Sequence, residues 1–284
     1  MLADGVPGLA MHDHLCLVYD RDADARRALL DYAVAGLAQR ERVCVLTGHD
    51  SATAGIGDDL RAVGLPLDDL VDRGMLVLGS AAEAYLDGGV LESDRRLDGY
   101  AEAARSAVAE GYTGLRVYAE TQFLLGHPGA LEAWPDHELR ADLLVKQAPM
   151  TVVCAYDARR WTPGDLLLAE TVHSRRSRDH RAFSLHGGRD GALRLSGDVD
   201  FLAADQVYRL LVGAAPGRPT AVLDVSGVTL IDVRGARGIG MACEAIAGRH
   251  GPTTVRGASP LLHKIWRPSS WSELFPNVIL QDSR

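Results

Sequence analysis

The sequence lacks the features on which several kinds of function depend. No apolar run approaches the roughly 20 residues that a membrane-spanning helix needs. The opening, MLADGVPGLAMHDH, has neither a basic start nor an apolar core and does not read as a secretory signal, so the expected location is the cytoplasm. Positive charge is in deficit. A formal net charge of -8 repels the phosphate backbone that nucleic-acid binders neutralise with Lys and Arg. The one short basic stretch, from Arg175 to Arg181 in SRRSRDHR, reads as a solvated linker. Four cysteines, Cys16, Cys44, Cys154 and Cys243, occur without a CxxC pair. Three of them sit in the apolar runs HLCLVY, RVCVLTG and TVVCAY, which makes them small buried hydrophobes and not a disulfide framework. No GxSxG or HExxH string is present, and no Ser-His-Asp set follows from spacing, so catalysis has no visible residues to rest on and no enzyme is expected.

What is present is ordinary globular material: 284 residues, 47% hydrophobic and 24% charged, enough for a packed core and a length that suggests two domains. In the first half, short apolar runs alternate with amphipathic stretches. HLCLVY (14–19), RVCVLTG (42–48), MLVLGS (75–80), LRVYAE (115–120) and MTVVCAY (150–156) read as buried strands. Between them, Asp22 can cap a helix that turns Leu29, Leu30, Ala33, Val34 and Leu37 to the core. A second helix runs through Asp58 to Val63 and stops at Gly64, and a third carries Leu97, Tyr100, Ala101, Ala104 and Val108 on one side. Gly129 to Gln147 reads as helical, and Thr162-Pro163 starts a helix that reaches about His173. Strands apolar throughout and separated by helices predict a mostly parallel sheet covered on both faces.

The pattern changes near Arg181. RAFSLHGG and ALRLSGDVD alternate like a hairpin around Gly187-Gly188 and Asp190-Gly191. A helix from about Ala203 to Val212 follows, then a strand at 220–226, a helix from Gly235 to Arg249, the strand TTVRG (253–257) and a short helix from Ser259 to Trp266. The domains are therefore expected at 1–176 and 183–284, with 177–182 as linker.

Open α/β sheets place ligands at their carboxyl edge, which singles out candidates in the first domain. His12, His14 and Cys16 alternate and share one side of an extended segment. Imidazole and thiolate suit Zn2+ or haem iron. Three donors are fewer than a metal site usually takes, so structural roles compete, and no metal or cofactor is assigned. Glu120 ends an apolar strand and Arg116 lies four residues back on the same face. A structural ion pair between them and a ligand-orienting carboxylate are both open. Trp134, Trp161, Tyr118 and Tyr156 could line an apolar pocket, with core packing the preferred reading.

In the second domain, ALRLSGDVDFLAADQV, AVLDVSGVTLIDVRGARGIGMA and SPLLHKIW with SELF, in that order over residues 181–281, resemble a STAS domain (sulphate transporter and anti-sigma factor antagonist). The resemblance implies a mixed sheet with helices on one side that binds a regulatory protein, an anti-sigma factor or kinase-like partner, through the loop and helix after the strand ending at Asp232. Asp232, Val233, Arg234, Gly235 and Arg237 are the implied contact residues. Arg234 stands where many members of that family carry a phosphorylatable Ser or Thr; it has no hydroxyl and puts a fixed positive charge at a helix N-terminus. A degenerate interface and a surface held in one state are both open. Ser226 and Thr229 are nearby hydroxyls for which buried or turn roles are expected.

HDHLCLVYDRDAD, LRVYAETQF and VVCAYDARRW, in order across residues 11–175, resemble the MEDS family of methanogen, methylotroph and dichloromethane-regulator sensory domains. That resemblance implies a RecA-like layered core and the sensing of a small organic effector. The residues themselves argue against nucleotide hydrolysis. A phosphate cradle needs GxxxxGKS/T, whereas DRDADARR follows HLCLVY, and the two lysines, Lys146 and Lys264, lie in helical stretches without those glycines. The expectation is a sensor-adaptor that binds an effector through one domain and a protein through the other, with no nucleic acid or membrane as partner. The alternatives are a degenerate RecA-like nucleotide- or metal-binding enzyme with STAS as docking module, and a homo-oligomeric assembly driven by STAS domains.

Overall fold

A computed structural model describes residues 6, 8–48, 55–177, 182–214, 222–267 and 271–282. The chain forms two compact units. The first contains β1 (His14–Tyr19), α1 (Asp22–Ala38), β2 (Arg42–Thr47), α2 (Ile56–Ala62), α3 (Leu67–Asp72), β3 (Leu76–Ser80) and α4 (Ala81–Tyr85). A small ribbon of β4 (Leu86–Asp87) and β5 (Val90–Leu91) precedes α5 (Ser93–Ala109) and β6 (Leu115–Glu120). A 3-10 turn over Gln122–Gly126 leads to α6 (Pro128–Gln147), β7 (Met150–Asp157), α7 (Pro163–Val172) and β8 (Arg175–Arg176), with Pro135–Leu143 and Thr171–Ser174 counted in the second unit.

Six of these strands make one parallel sheet in the order β3-β2-β6-β7-β1-β8. The expected layered architecture is present. Strands β1, β6 and β7 are buried along their whole length because both faces are covered. On one face Leu15, Leu17, Val43, Val45, Tyr118 and Val153 meet Leu29 and Tyr32 of α1, Ile56 and Leu60 of α2 and Leu70 of α3. On the other, Cys16, Val18, Val117, Val152, Cys154 and Tyr156 meet Tyr100 of α5, Trp134 and Val145 of α6 and Ala169 of α7.

Four local readings need correction. Helix α1 is rotated from the expected face: Ala25, Ala28, Leu29, Tyr32, Ala33 and Gly36 are buried while Val34 is exposed. The cause is Gly36, where a Cβ would lie 2.5 Å from Arg116 Cδ and 2.9 Å from Val43 Cγ2, so the helix approaches the sheet along that edge. Asp22 is not its cap. Arg21 holds the cap position without a side-chain bond, and Asp22 instead accepts from Arg159. Strand β3 is the sheet's edge and leaves Val77 and Leu78 exposed; in α5, Ala107 takes the buried place expected of Val108.

The second unit is built on β9 (Phe183–Gly187), β10 (Leu193–Val199), α8 (Ala204–Ala214), β11 (Val222–Ile231), α9 (Val233–His250), β12 (Thr253–Ala258), α10 (Pro260–Trp266), α11 (Trp271–Leu274) and β13 (Val278–Asp282). Its sheet runs β13-β12-β11-β10-β9, parallel except for the antiparallel β9–β10 hairpin. Ala236, Ile239, Ala242, Cys243 and Ile246 form the buried stripe of α9, at the three- and four-residue spacing of a helix packed by one side. At Gly235 a Cβ would lie 2.0 Å from Val199 O, which fixes how closely the start of α9 sits on β10. Thr220 and Ala221 of the expected strand, and residues 178–181 of the expected linker, lie outside the described residues; β11 continues to Ile231. Among the described residues no helix is long and apolar enough to cross a membrane.

Candidate functional site

Chain direction across the first sheet reverses between β2 and β6: β2 is followed by β3 on one side, while β6 is followed by β7 on the other. Crevices at such points, outside the carboxyl ends of the strands, are where doubly wound sheets take ligands. Glu120 closes β6 there, only 2% exposed, and its Oε2 accepts from the Gly48 amide at 3.1 Å. Tyr19 closes β1, and its hydroxyl accepts from Gln122 Nε2. Two further polar atoms face this neighbourhood without a hydrogen-bond partner among the described residues, the Tyr118 hydroxyl and Gln122 Oε1, both buried. A buried polar atom left unpaired costs about 1–3 kcal/mol, so each favours a ligand that supplies a hydrogen-bond partner. Burial, and after it the charge of Glu120, pushes the Tyr118 and Tyr19 phenols above their ordinary range. Both stay protonated at neutral pH and can donate.

The rim is acidic but latched. Asp157 ends β7. Burial alone would raise its pKa, yet hydrogen bonds from the Arg159 side chain and backbone bring it below the usual carboxylate value. The same guanidinium reaches Asp22 at the start of α1. Phenols, a primary amide and a carboxylate suit a small polar organic molecule carrying hydroxyl or amine groups. They do not suit a phosphate, which Glu120, Asp22 and Asp157 would repel.

The sequence-predicted residues divide. Glu120 is at this edge. Arg116 is not its partner: four residues along a strand span about 13 Å, and Arg116 instead pairs with buried Glu41, lies over the Tyr32 ring at 4.6 Å and donates to the carbonyls of Tyr32 and Leu9, each at 3.4 Å. The His12, His14, Cys16 trio does not assemble. His12 precedes β1 with φ at 75° and its Nδ1 is 3.0 Å from the Val145 carbonyl; Cys16 is packed in the core. His14 Nε2 lies 3.5 Å from Cys154 Sγ. Trp134, Trp161 and Tyr156 fill core: Trp134 Nε1 donates to the Tyr156 hydroxyl at 2.8 Å, and the Trp161 ring meets Tyr156 edge-on at 5.1 Å. Tyr19 and Gln122 were not anticipated; an aromatic at the last position of a strand and an amide just past the next are weak signals by themselves.

In the second unit, the head of α9 is a distinct surface. Asp232 caps the helix, its carboxylate accepting from the Gly235 amide at 2.7 Å. Val233, Arg234 and Arg237 are exposed and Gly235 is buried. Arg234 Nη2 lies 3.3 Å from Asp205 Oδ2 of α8, which offsets its unfavourable position at the positive helix end. Around it stand exposed apolar side chains: Phe201 at 55%, Leu202 at 75%, Leu230 at 49% and Val233 at 59%. The β10–β11 register, with Val199 beside Ile231, brings their segments together. Of the buried or turn roles expected, burial is excluded: Ser226 and Thr229 are exposed, and their hydroxyls donate to the carboxylates of Asp224 and Asp198, each at 2.6 Å.

A family model described as the MEthanogen/methylotroph, DcmR Sensory domain, or MEDS, matches residues 13–174. A second, described as Mlab, STAS domain, matches residues 185–279. No curated protein matches the chain.

Proposed function

Since the chain belongs to the MEDS family and carries a STAS domain behind the MEDS domain, we propose that it is a cytoplasmic signalling adaptor that senses a small polar organic effector and docks on an anti-sigma factor or kinase-like regulatory protein. The observation that carries the docking half is the apolar patch at the head of α9. Soluble monomers seldom leave Phe, Leu, Leu and Val together in water without a partner to cover them, and here Arg234 and Arg237 border the patch with charge. Arg234 cannot be phosphorylated, so partner choice is set by occupancy of the first domain and not by a kinase acting at that position. The effector half is supported by the buried Tyr118 hydroxyl and Gln122 Oε1.

The test is affinity capture from the native host with the full chain against Leu202→Asp/Val233→Asp. Wild type is expected to retain a sigma-factor regulator that the variant loses. Equal retention by both, or no regulator on either, would remove the docking claim. Native mass spectrometry of the host-purified chain tests the effector: a retained small organic mass is expected, and its persistence in Tyr118→Phe/Gln122→Leu would place the ligand elsewhere.

A further inference from the structure

We infer that the first unit carries a ligand site apart from the Glu120 edge, in which the Arg96 guanidinium, held on the rings of Tyr85 and Tyr100, takes a small organic carboxylate. The local fold brings the three residues together. Tyr85 ends α4, and the β4–β5 ribbon turns the chain back, with Leu86 paired to Leu91 and the Glu92 amide donating to the Tyr85 carbonyl at 3.0 Å. The end of α4 therefore sits at the start of α5. On α5, Arg96 and Tyr100 are one turn apart and share a face. The guanidinium lies over the Tyr100 ring at 3.8 Å and over the Tyr85 ring at 5.2 Å. The two hydroxyls are 2.6 Å apart, and Phe123 stacks on Tyr85 at 5.3 Å. All of these residues belong to the first unit.

The charge on Arg96 has no counterpart. Its side chain is half-buried, and among the described residues no carboxylate pairs with it, Glu92 one turn earlier included. Its Nε is buried without a hydrogen-bond partner among the described residues. The titratable groups around it are the phenols of Tyr85 and Tyr100 and the thiol of Cys44. Burial pushes the Tyr100 phenol up to about 12, and raises the Tyr85 phenol and the Cys44 thiol above their ordinary values. Each is neutral at pH 7. Ring faces attract a cation by about 0.5–2 kcal/mol but carry no charge to cancel it. A cation drawn out of water without an anion is costly, and a bound carboxylate removes that cost.

Geometry and charge select the ligand. Stacking occupies the flat face of a guanidinium and leaves its N–H donors, which lie in the plane, pointing outward from the edge. A carboxylate matches that edge with two parallel hydrogen bonds. One guanidinium cancels one negative charge, whereas a phosphate dianion would keep a net charge beside buried rings. Leu86 and Leu91 of the ribbon and Phe123 are partly buried against the same core and favour a short aliphatic or aromatic body behind the carboxylate. Tyr85 and Tyr100 pack with Cys16 and Val117 on one face of the sheet, and Tyr118 packs on the other. The two sites also differ in sign: a carboxylate suits Arg96 and is repelled by Glu120.

The test is thermal unfolding of the full chain with benzoate and butyrate, each against its neutral amide, and with inorganic phosphate. At millimolar concentration benzoate or butyrate is expected to raise Tm where benzamide and butyramide do not, and phosphate is expected to give no comparable rise. Arg96→Gln should weaken carboxylate binding at least about tenfold. Arg95→Gln, which removes the exposed charge next to it, should leave binding unchanged. Arg96→Lys keeps the charge without the planar fork and should still prefer carboxylate to amide, at reduced affinity. Should the Arg96 variants fail to fold, carboxylate against amide on the wild type decides alone. No rise with either carboxylate, an equal rise with the amides or with phosphate, or binding that survives Arg96→Gln overturns the assignment.

Discussion

At the scale of single residues, the costliest positions are buried charges with one oppositely charged partner. Arg116 and Glu41 are both essentially inaccessible. Removing one charge strands the other in a low-dielectric interior, at a cost of about 3–5 kcal/mol, while replacing both with well-packed apolar groups is often neutral. Arg116→Met should therefore lower the denaturant midpoint of the first unit sharply, and Arg116→Met/Glu41→Leu should recover most of the loss. If the double variant is as unstable as the single one, the pair is not the source of the cost. In the second unit Asp224 is held by Arg194 at 3.2 Å, Arg256 at 2.9 Å and the Ser226 hydroxyl at 2.6 Å. Burial would raise its pKa, but the Ser226 and Arg256 interactions outweigh burial and lower it. A carboxylate whose folded pKa lies below its unfolded value of about 3.9 adds stability that is complete above that value. The contribution is lost as pH falls through the folded pKa. Asp190, bonded to Arg256 at 2.8 Å, is lowered too. Acid unfolding of this unit should set in below about pH 4, and Asp224→Asn should flatten the fall measured by circular dichroism. An unchanged acid limb would show that the loss comes from other carboxylates.

At the scale of elements, helix starts divide into those with side-chain caps and those without. Asp232 caps α9 and Ser259 caps α10, its hydroxyl accepting from the Leu262 amide at 3.2 Å. Asp232→Ala should cost about 1 kcal/mol, read as a shift in denaturant midpoint at constant slope. Gly235→Ala in the next turn should cost more, because its methyl would strike the Val199 carbonyl and lever α9 off β10. The helices α9 and α10 were legible from local sequence, although a cap read from sequence, Asp22 at α1, is not one, and so were β1, β2, β6 and β7, which are apolar at most positions. Arg116 shows the limit. Its position on a buried strand could be read, but Glu41, 75 residues away, could not be separated from Glu120 without the strand order that sets β6 beside β2. Local alternation likewise grouped His12, His14 and Cys16. It reports which side of a strand a residue faces, not which distant groups face it.

At the scale of the whole molecule, a parallel sheet with helices on both faces invites comparison with nucleotide-binding architectures, and the chemistry at its carboxyl edge opposes it. Glu120, Asp22 and Asp157 supply negative charge there. The amide of Gly48, which could have faced a phosphate, is taken by a carboxylate. A net charge of -8 adds long-range repulsion of a polyanion, partly screened at physiological ionic strength. A ligand that binds only the folded state at a hundred times its Kd stabilises that state by about 2.7 kcal/mol, and such a change is readily measured as a rise in Tm. Saturating ATP with Mg2+ should produce no rise, whereas host metabolite fractions containing the effector should. The measurement separates the sensor from a degenerate nucleotide-binding enzyme, because both readings share the same sheet and the same edge and differ only in what the edge can hold. A nucleotide-dependent rise that disappears in Glu120→Lys would mean that the carboxylate engages a phosphate-bound cation, and the edge would then have to be reassigned to nucleotide.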